Sequence, residues 1–95
     1  MTYWNLAKTL HKLNRFEEAA RYRRTCWNIE IEEQGIHDAS TLETAVALAK
    51  DLIAAQQKSE AIIVIQQSMP DPEAELEEEA EEKIQELQNL LNLLG

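Results

Sequence analysis

The sequence predicts an all-α fold of five helices in one 95-residue domain, residues 1–95. Three observations predict it. A stretch near the start recurs 42 residues later. Glycine and proline occur only twice each, against abundant Ala, Leu, Glu and Gln, which is a helical composition. The last 25 residues set Leu and Ile along one helical stripe.

The repeat organises the chain. Leu6, Ala7, Lys8, Leu10, Glu18 and Ala19 return as Leu48, Ala49, Lys50, Leu52, Glu60 and Ala61. Six identities at one offset define two copies, 3–34 and 38–69. Four of the six are small or apolar, so they read as packing positions. Ala7, Ala19, Ala49 and Ala61 are predicted at tight helix crossings, since none puts bulk between two backbones.

The first helix should span about Thr2 to Leu13, with Leu6, Leu10 and Leu13 at helical spacing. It has no preceding cap, and it reads as the start of a module cut from a longer array or built without its upstream neighbour. Asn14 and Glu17 form a capping-box pattern for a second helix, about Arg15 to Gln34. Its main stripe is predicted through Ala19, Tyr22, Cys26 and Ile29, widened by Ala20, Trp27 and Ile31, with Arg15, Arg21, Arg23 and Arg24 mostly opposite. Gly35 suits a helix end. Asp38 is a good N-cap for a third helix, about Ala39 to Ala55, with Leu42, Ala45, Ala49 and Leu52 inward. Gln56, Gln57 and Lys58 form the next turn, with Ser59 as a cap.

Ile62 to Ile65 would read as a strand in isolation. The repeat places them in a fourth helix, where so apolar a run requires burial on more than one side. The cover is predicted from residues 71–95. Asp71 would cap, Pro72 would take the first helical position, and Glu73 and Glu75 would favour the helix start. Leu76, Ala80, Ile84, Leu87, Leu91 and Leu94 then share one stripe, and Leu90 and Leu93 add to it.

The unit resembles the tetratricopeptide repeat (TPR), in the longer variant found in kinesin light chains. That motif runs Asn-Leu-Ala, an apolar position, then Gly-x-(Tyr/Phe)-Glu-Glu-Ala. Copy one matches through Asn5-Leu6-Ala7, Leu10 and Asn14-Arg15-Phe16-Glu17-Glu18-Ala19. Copy two keeps Leu48-Ala49, Leu52 and Glu60-Ala61, and departs at Ala47, Gln56 and Lys58. The resemblance covers 3–69 only. It implies two helix-turn-helix repeats stacked as a short superhelix, against which the stripe of 71–95 would lie as an acidic capping helix. It also implies a peptide groove along the first helices of successive copies. By motif, Trp4, Asn5, Lys8, His11 and Lys12 fall there in copy one, and Val46, Lys50, Ile53 and Ala54 in copy two. Lys8 and Lys50 are paired by the repeat, which suits an acidic peptide. The double-carboxylate clamp of chaperone-binding members is not matched.

Charge separates the halves. Residues 1–69 hold eight Lys+Arg and nine Asp+Glu, a net of −1; residues 70–95 hold one Lys and nine Asp+Glu, a net of −8. The total of −9 argues against a nucleic-acid partner. No apolar run is long enough to span a bilayer, and no leader is recognisable, so a natural protein of this sequence is expected in the cytoplasm. The single Cys cannot form an internal disulfide.

His11, Cys26 and His37 show no ligand spacing and no base-nucleophile arrangement. No catalytic residue, metal or cofactor is expected. Cys26 reads as a buried structural thiol. Arg21 and Arg24 form a basic surface that could meet the Glu-rich tail of another molecule, so a homo-oligomer is also admitted. The leading expectation is a non-enzymatic protein-interaction module. The alternative is an engineered helical-repeat scaffold with an added cap.

Overall fold

The computed structural model describes residues 3–94, with side chains from residue 5 onward. The described residues form five helices and no strand: α1 (Tyr3–Lys12), α2 (Phe16–Gln34), α3 (Ala39–Ala54), α4 (Lys58–Ser68) and α5 (Glu78–Leu94). Short connections fold α1 onto α2 and α3 onto α4 as two helical hairpins, with α2 packed on α3 between them. The last helix lies against both α3 and α4. The result is two layers, with α1, α3 and α5 in one and α2 and α4 in the other. The smallest dimension is 18 Å, as two helix layers spaced about 8–10 Å apart require.

The repeat is visible in the backbone at atomic detail. Asn14 and Gln56, 42 residues apart, are the two non-glycine residues with positive φ, 63° and 64°, among the described residues. At the end of α1 the Arg15 N–H donates to the Leu10 carbonyl at 2.9 Å and Asn14 N–H to His11 at 3.0 Å. At the end of α3 the Gln57 N–H donates to Leu52 at 2.8 Å and Gln56 N–H to Ile53 at 3.0 Å. Both are Schellman endings, which satisfy the last carbonyls of a helix through one left-handed residue.

This corrects two expected caps. Asn14 ends α1 and does not cap α2; Asn tolerates the left-handed region better than most side chains. The α2 N-cap is Arg15, whose side chain makes no cap bond. Its guanidinium instead grips Glu18, with Nε at 2.9 Å and Nη2 at 2.6 Å. Likewise Gln57 begins α4, and Ser59 sits inside it. The Asp38 cap is as expected, accepting from the Ser40 N–H at 3.0 Å.

The four predicted crossing alanines, Ala7, Ala19, Ala49 and Ala61, are all fully buried. Leu42, Ala45, Leu48 and Leu52 fill the inner face of α3. On α2 the buried face differs from the predicted stripe. It runs Ala19, Ala20, Arg23, Trp27, while Tyr22 and Cys26 are half-buried and Ile29 is 44% exposed. Arg23 therefore faces inward, which arginine spacing alone does not announce. On α4, Val64 and Ile65 are buried, Ile62 is half-buried and Ile63 is exposed.

The tail helix begins later than expected. Residues 71–74 make a turn, with Ala74 N–H donating to the Asp71 carbonyl at 3.0 Å, and the helix starts only at Glu78. Asp at the first and Pro at the second position favour a four-residue turn as much as a helix start, and the chain takes the turn at 71–74. The turn still brings Leu76 to the core. Ala80 and Leu87 are buried, and Ile84, Leu90, Leu91 and Leu94 pack around them. Leu93, expected on that stripe, is 82% exposed.

Candidate functional site: a lysine-lined groove

The groove is built on the outer face of α3. Glu43, Val46, Ala47 and Lys50 sit at 3-1-3 spacing, so they share one helical face. Lys8 on α1 stands on one side, and Lys83 and Glu86 on α5 stand on the other. Arg23 reaches the same space from α2. The groove holds about 400 Å³. Val46 and Ala47 give it an apolar strip between charged walls.

Four cations and two carboxylates line it: Lys8, Arg23, Lys50 and Lys83, with Glu43 and Glu86. Lys83 Nζ lies 3.8 Å from Glu86 Oε2. Among the described residues, Lys8 and Lys50 form no ion pair. Both ammonium groups are exposed and available to an incoming anion.

Beneath this surface lies a buried charge cluster that fixes the walls. Asp51 of α3 is almost wholly buried and accepts from Arg23 Nε of α2 at 2.7 Å. Its other oxygen meets His11 Nδ1 of α1 at 2.5 Å. Burial pushes the Asp51 carboxyl above the usual carboxylate range, against the pull of His11 and Arg23. One carboxylate thus ties three helices together. His11 also stacks edge-on against Phe16, with ring centroids 4.9 Å apart.

Of the nine residues predicted for the groove, the structure brings together three, Lys8, Val46 and Lys50, while Ile53 and Ala54 do not line it. His11 bonds Asp51 through Nδ1 and does not line the groove, although its side chain is 43% exposed. Asn5 and Lys12 are exposed on α1 but do not line the groove. The Trp4 side chain lies outside the described residues. Lys83, Glu86 and Arg23 were not legible as groove residues. The only available signal for Lys83 is that it is the one cation of the tail.

Arg21 and Arg24 line a separate hollow of about 500 Å³ between α2 and α4, with Glu17 and Glu60 on the same walls. Arg24 Nη2 lies 3.4 Å from Glu60 Oε2. The surface is therefore mixed in sign and not the concentrated basic face that the sequence suggests.

Cys26 is half-buried, short of the full burial expected, and burial with Glu30 nearby pushes its thiol upward, towards the protonated form. No group of three or more His, Cys, Asp or Glu side chains among the described residues is placed to hold a metal ion. No helix among them is long and apolar enough to cross a membrane.

No family model, curated protein or solved structure matches this chain.

Proposed function

We propose that the chain is a non-enzymatic protein-interaction module of TPR type, and that it takes an acidic peptide segment along the α1–α3–α5 groove. One observation carries the reading. Lys8, Lys50 and Lys83 come from three different helices and converge on one groove with an apolar floor. Two of them have no carboxylate of their own. Carboxylates along an extended peptide would supply the missing partners, and the Val46–Ala47 strip would take a small apolar side chain.

Exposed ion pairs contribute about 0.2–1 kcal/mol each, so three lysines support modest affinity. A dissociation constant on the order of 10⁻⁴ M, about 5.5 kcal/mol, is the expected scale once apolar contact is added. The test is fluorescence anisotropy of a labelled Glu-rich peptide against its Gln-substituted analogue. The acidic peptide should bind, the neutral one should not, and Lys8→Glu with Lys50→Glu should remove binding. Equal binding of both peptides, or binding that survives the double substitution, would overturn the reading.

A second reading is an engineered helical-repeat scaffold with α5 as an added cap and no ligand. The tail's composition favours it, since Glu and Leu dominate 73–94 while Trp, Cys, His and Arg are confined to earlier residues. Failure of every acidic peptide in the same titration would support this second reading.

A further inference from the structure

We propose that two copies of the chain pair through α1, the two helices antiparallel about a twofold axis with Thr9 at its centre. This goes beyond the groove reading and uses a different face of α1.

The repeat shows what that face lacks. On α3, the stripe Thr44, Leu48 and Asp51 is turned towards the first hairpin. Thr44 donates to Glu30 and Asp51 accepts from Arg23, both on α2. Each of the three is at most 2% exposed. On α1, the positions 42 residues before Leu48 and Asp51 are Leu6 and Thr9. Leu6 is only half-buried and Thr9 is exposed. Tyr22 of α2 is also half-buried, whereas its counterpart Val64 is fully buried. Leu13 continues the stripe after Thr9 and is 60% exposed. Its N–H still donates to the Thr9 carbonyl at 3.1 Å, so it keeps a helical position. The first hairpin therefore leaves open a face that the second hairpin buries.

Three observations select a second copy as the cover. The opposite end of the stack is closed, because α5 lies on both α3 and α4 with Leu87 fully buried. The α1 of one copy cannot take that place in another, so the contact must join like faces, and such a contact closes at two. The stripe is also uncharged in a chain with 28% charged residues. Its one polar group, the Thr9 hydroxyl, already donates to the Asn5 carbonyl at 3.1 Å. Finally, residues 70–95 carry a net −8 and residues 1–69 a net −1. Pairing through α1 keeps the two acidic tails at the far ends, whereas a like-face contact through α5 would bring them together.

Antiparallel pairing about Thr9 sets Leu6 of each copy against Leu13 of the other. Lys12 then falls beside Asn5 of the other copy and not beside a second lysine. Lys8 projects to the groove, away from this stripe, so peptide binding and pairing use separate surfaces.

The experiment is sedimentation velocity of the full chain up to millimolar concentration, at about 0.1 M and about 1 M salt. The parent should reach the mass of a dimer and no more. Association should hold or strengthen with salt, because the contact is apolar and salt screens the −9 on each copy. Thr9→Glu, at an exposed position, should melt like the parent and associate at least about tenfold more weakly, since it sets two like charges at the axis. Crosslinking locates the contact. In a Cys26→Ser background, Thr9→Cys should form a disulfide-linked dimer under mild oxidation, and Glu78→Cys on α5 should stay largely monomeric. A parent that remains monomeric at millimolar concentration, or grows past the dimer, would overturn the proposal. So would association unaffected by Thr9→Glu, or equal crosslinking at the two positions.

Discussion

Arg23 Nε donates to Asp51 Oδ2 at 2.7 Å, and both side chains are within a few per cent of complete burial. The pair joins α2 to α3 in the interior of the stack. Breaking it from one side leaves an ion in a low-dielectric site. Asp51→Asn should therefore cost about 3–5 kcal/mol. Replacing both partners by apolar residues, Arg23→Met with Asp51→Leu, should recover most of that loss, because buried pairs repay little beyond their own desolvation. Urea unfolding midpoints of the three proteins decide it. A double variant no more stable than the single one would show that the cluster supplies more than charge neutralisation.

Glu30 gives a pH prediction. Its carboxylate accepts from the Thr44 hydroxyl at 2.5 Å, and burial raises its pKa above the ordinary value despite that bond. In the window above the ordinary carboxylate range, at about 4, the folded state still holds a proton that the unfolded state has released. Stability from this site is then complete below that window and falls as pH rises through the folded pKa. Glu30→Gln keeps an acceptor for Thr44 and removes the charge. It should melt higher than the parent at pH 7, and the two melting temperatures should converge near pH 4. A gap that stays constant with pH would show that Glu30 ionisation is not coupled to folding.

The two left-handed residues allow a direct test of the repeat. Gln56 holds φ 64° with a side chain poorly suited to it. A left-handed residue other than glycine costs about 1–2 kcal/mol, so Gln56→Gly should stabilise by about 1 kcal/mol after its added chain entropy. Asn14→Gly should gain less, since Asn already tolerates this region. If Gln56→Gly lowers the melting temperature, the second ending is not the Schellman turn described above.

The small packing positions were legible in the sequence, and charged interior positions were not. Ala7, Ala19, Ala49 and Ala61 are buried as the 42-residue offset requires, because small residues recur only where backbones approach. Asp51 and Arg23 have no counterparts in the other copy; their repeat equivalents are Thr9 and Ile65. Nothing periodic marks them, and arginine spacing suggested a solvated face. The start of α5 was misplaced for a related reason. Asp71 and Pro72 signal a four-residue turn as readily as a helix start, and that local chemistry does not choose between them. The groove was half legible, since Lys8 and Lys50 follow the repeat and Lys83 does not.

The tail should behave as part of the core from Leu76 onward. Leu87 is fully buried against the body of the molecule, so Leu87→Ala should cost about 2–5 kcal/mol. Amide exchange should show protection through Leu87 to Leu91 and little between Glu73 and Glu77, where no helical bonds form. Uniformly fast exchange from 73 to 94 would contradict the packing of α5.

Lys8, Lys50 and Lys83, from three helices, are proposed as one receptor for an acidic segment. Its most direct test is an amide chemical-shift titration of the labelled protein with a Glu-rich peptide. Saturable shifts should group at Lys8, Val46, Ala47, Lys50 and Lys83 and weaken with salt, while the surface around Arg21 and Arg24 stays silent. Shifts centred on Arg21 and Arg24, or none at millimolar peptide, would contradict it.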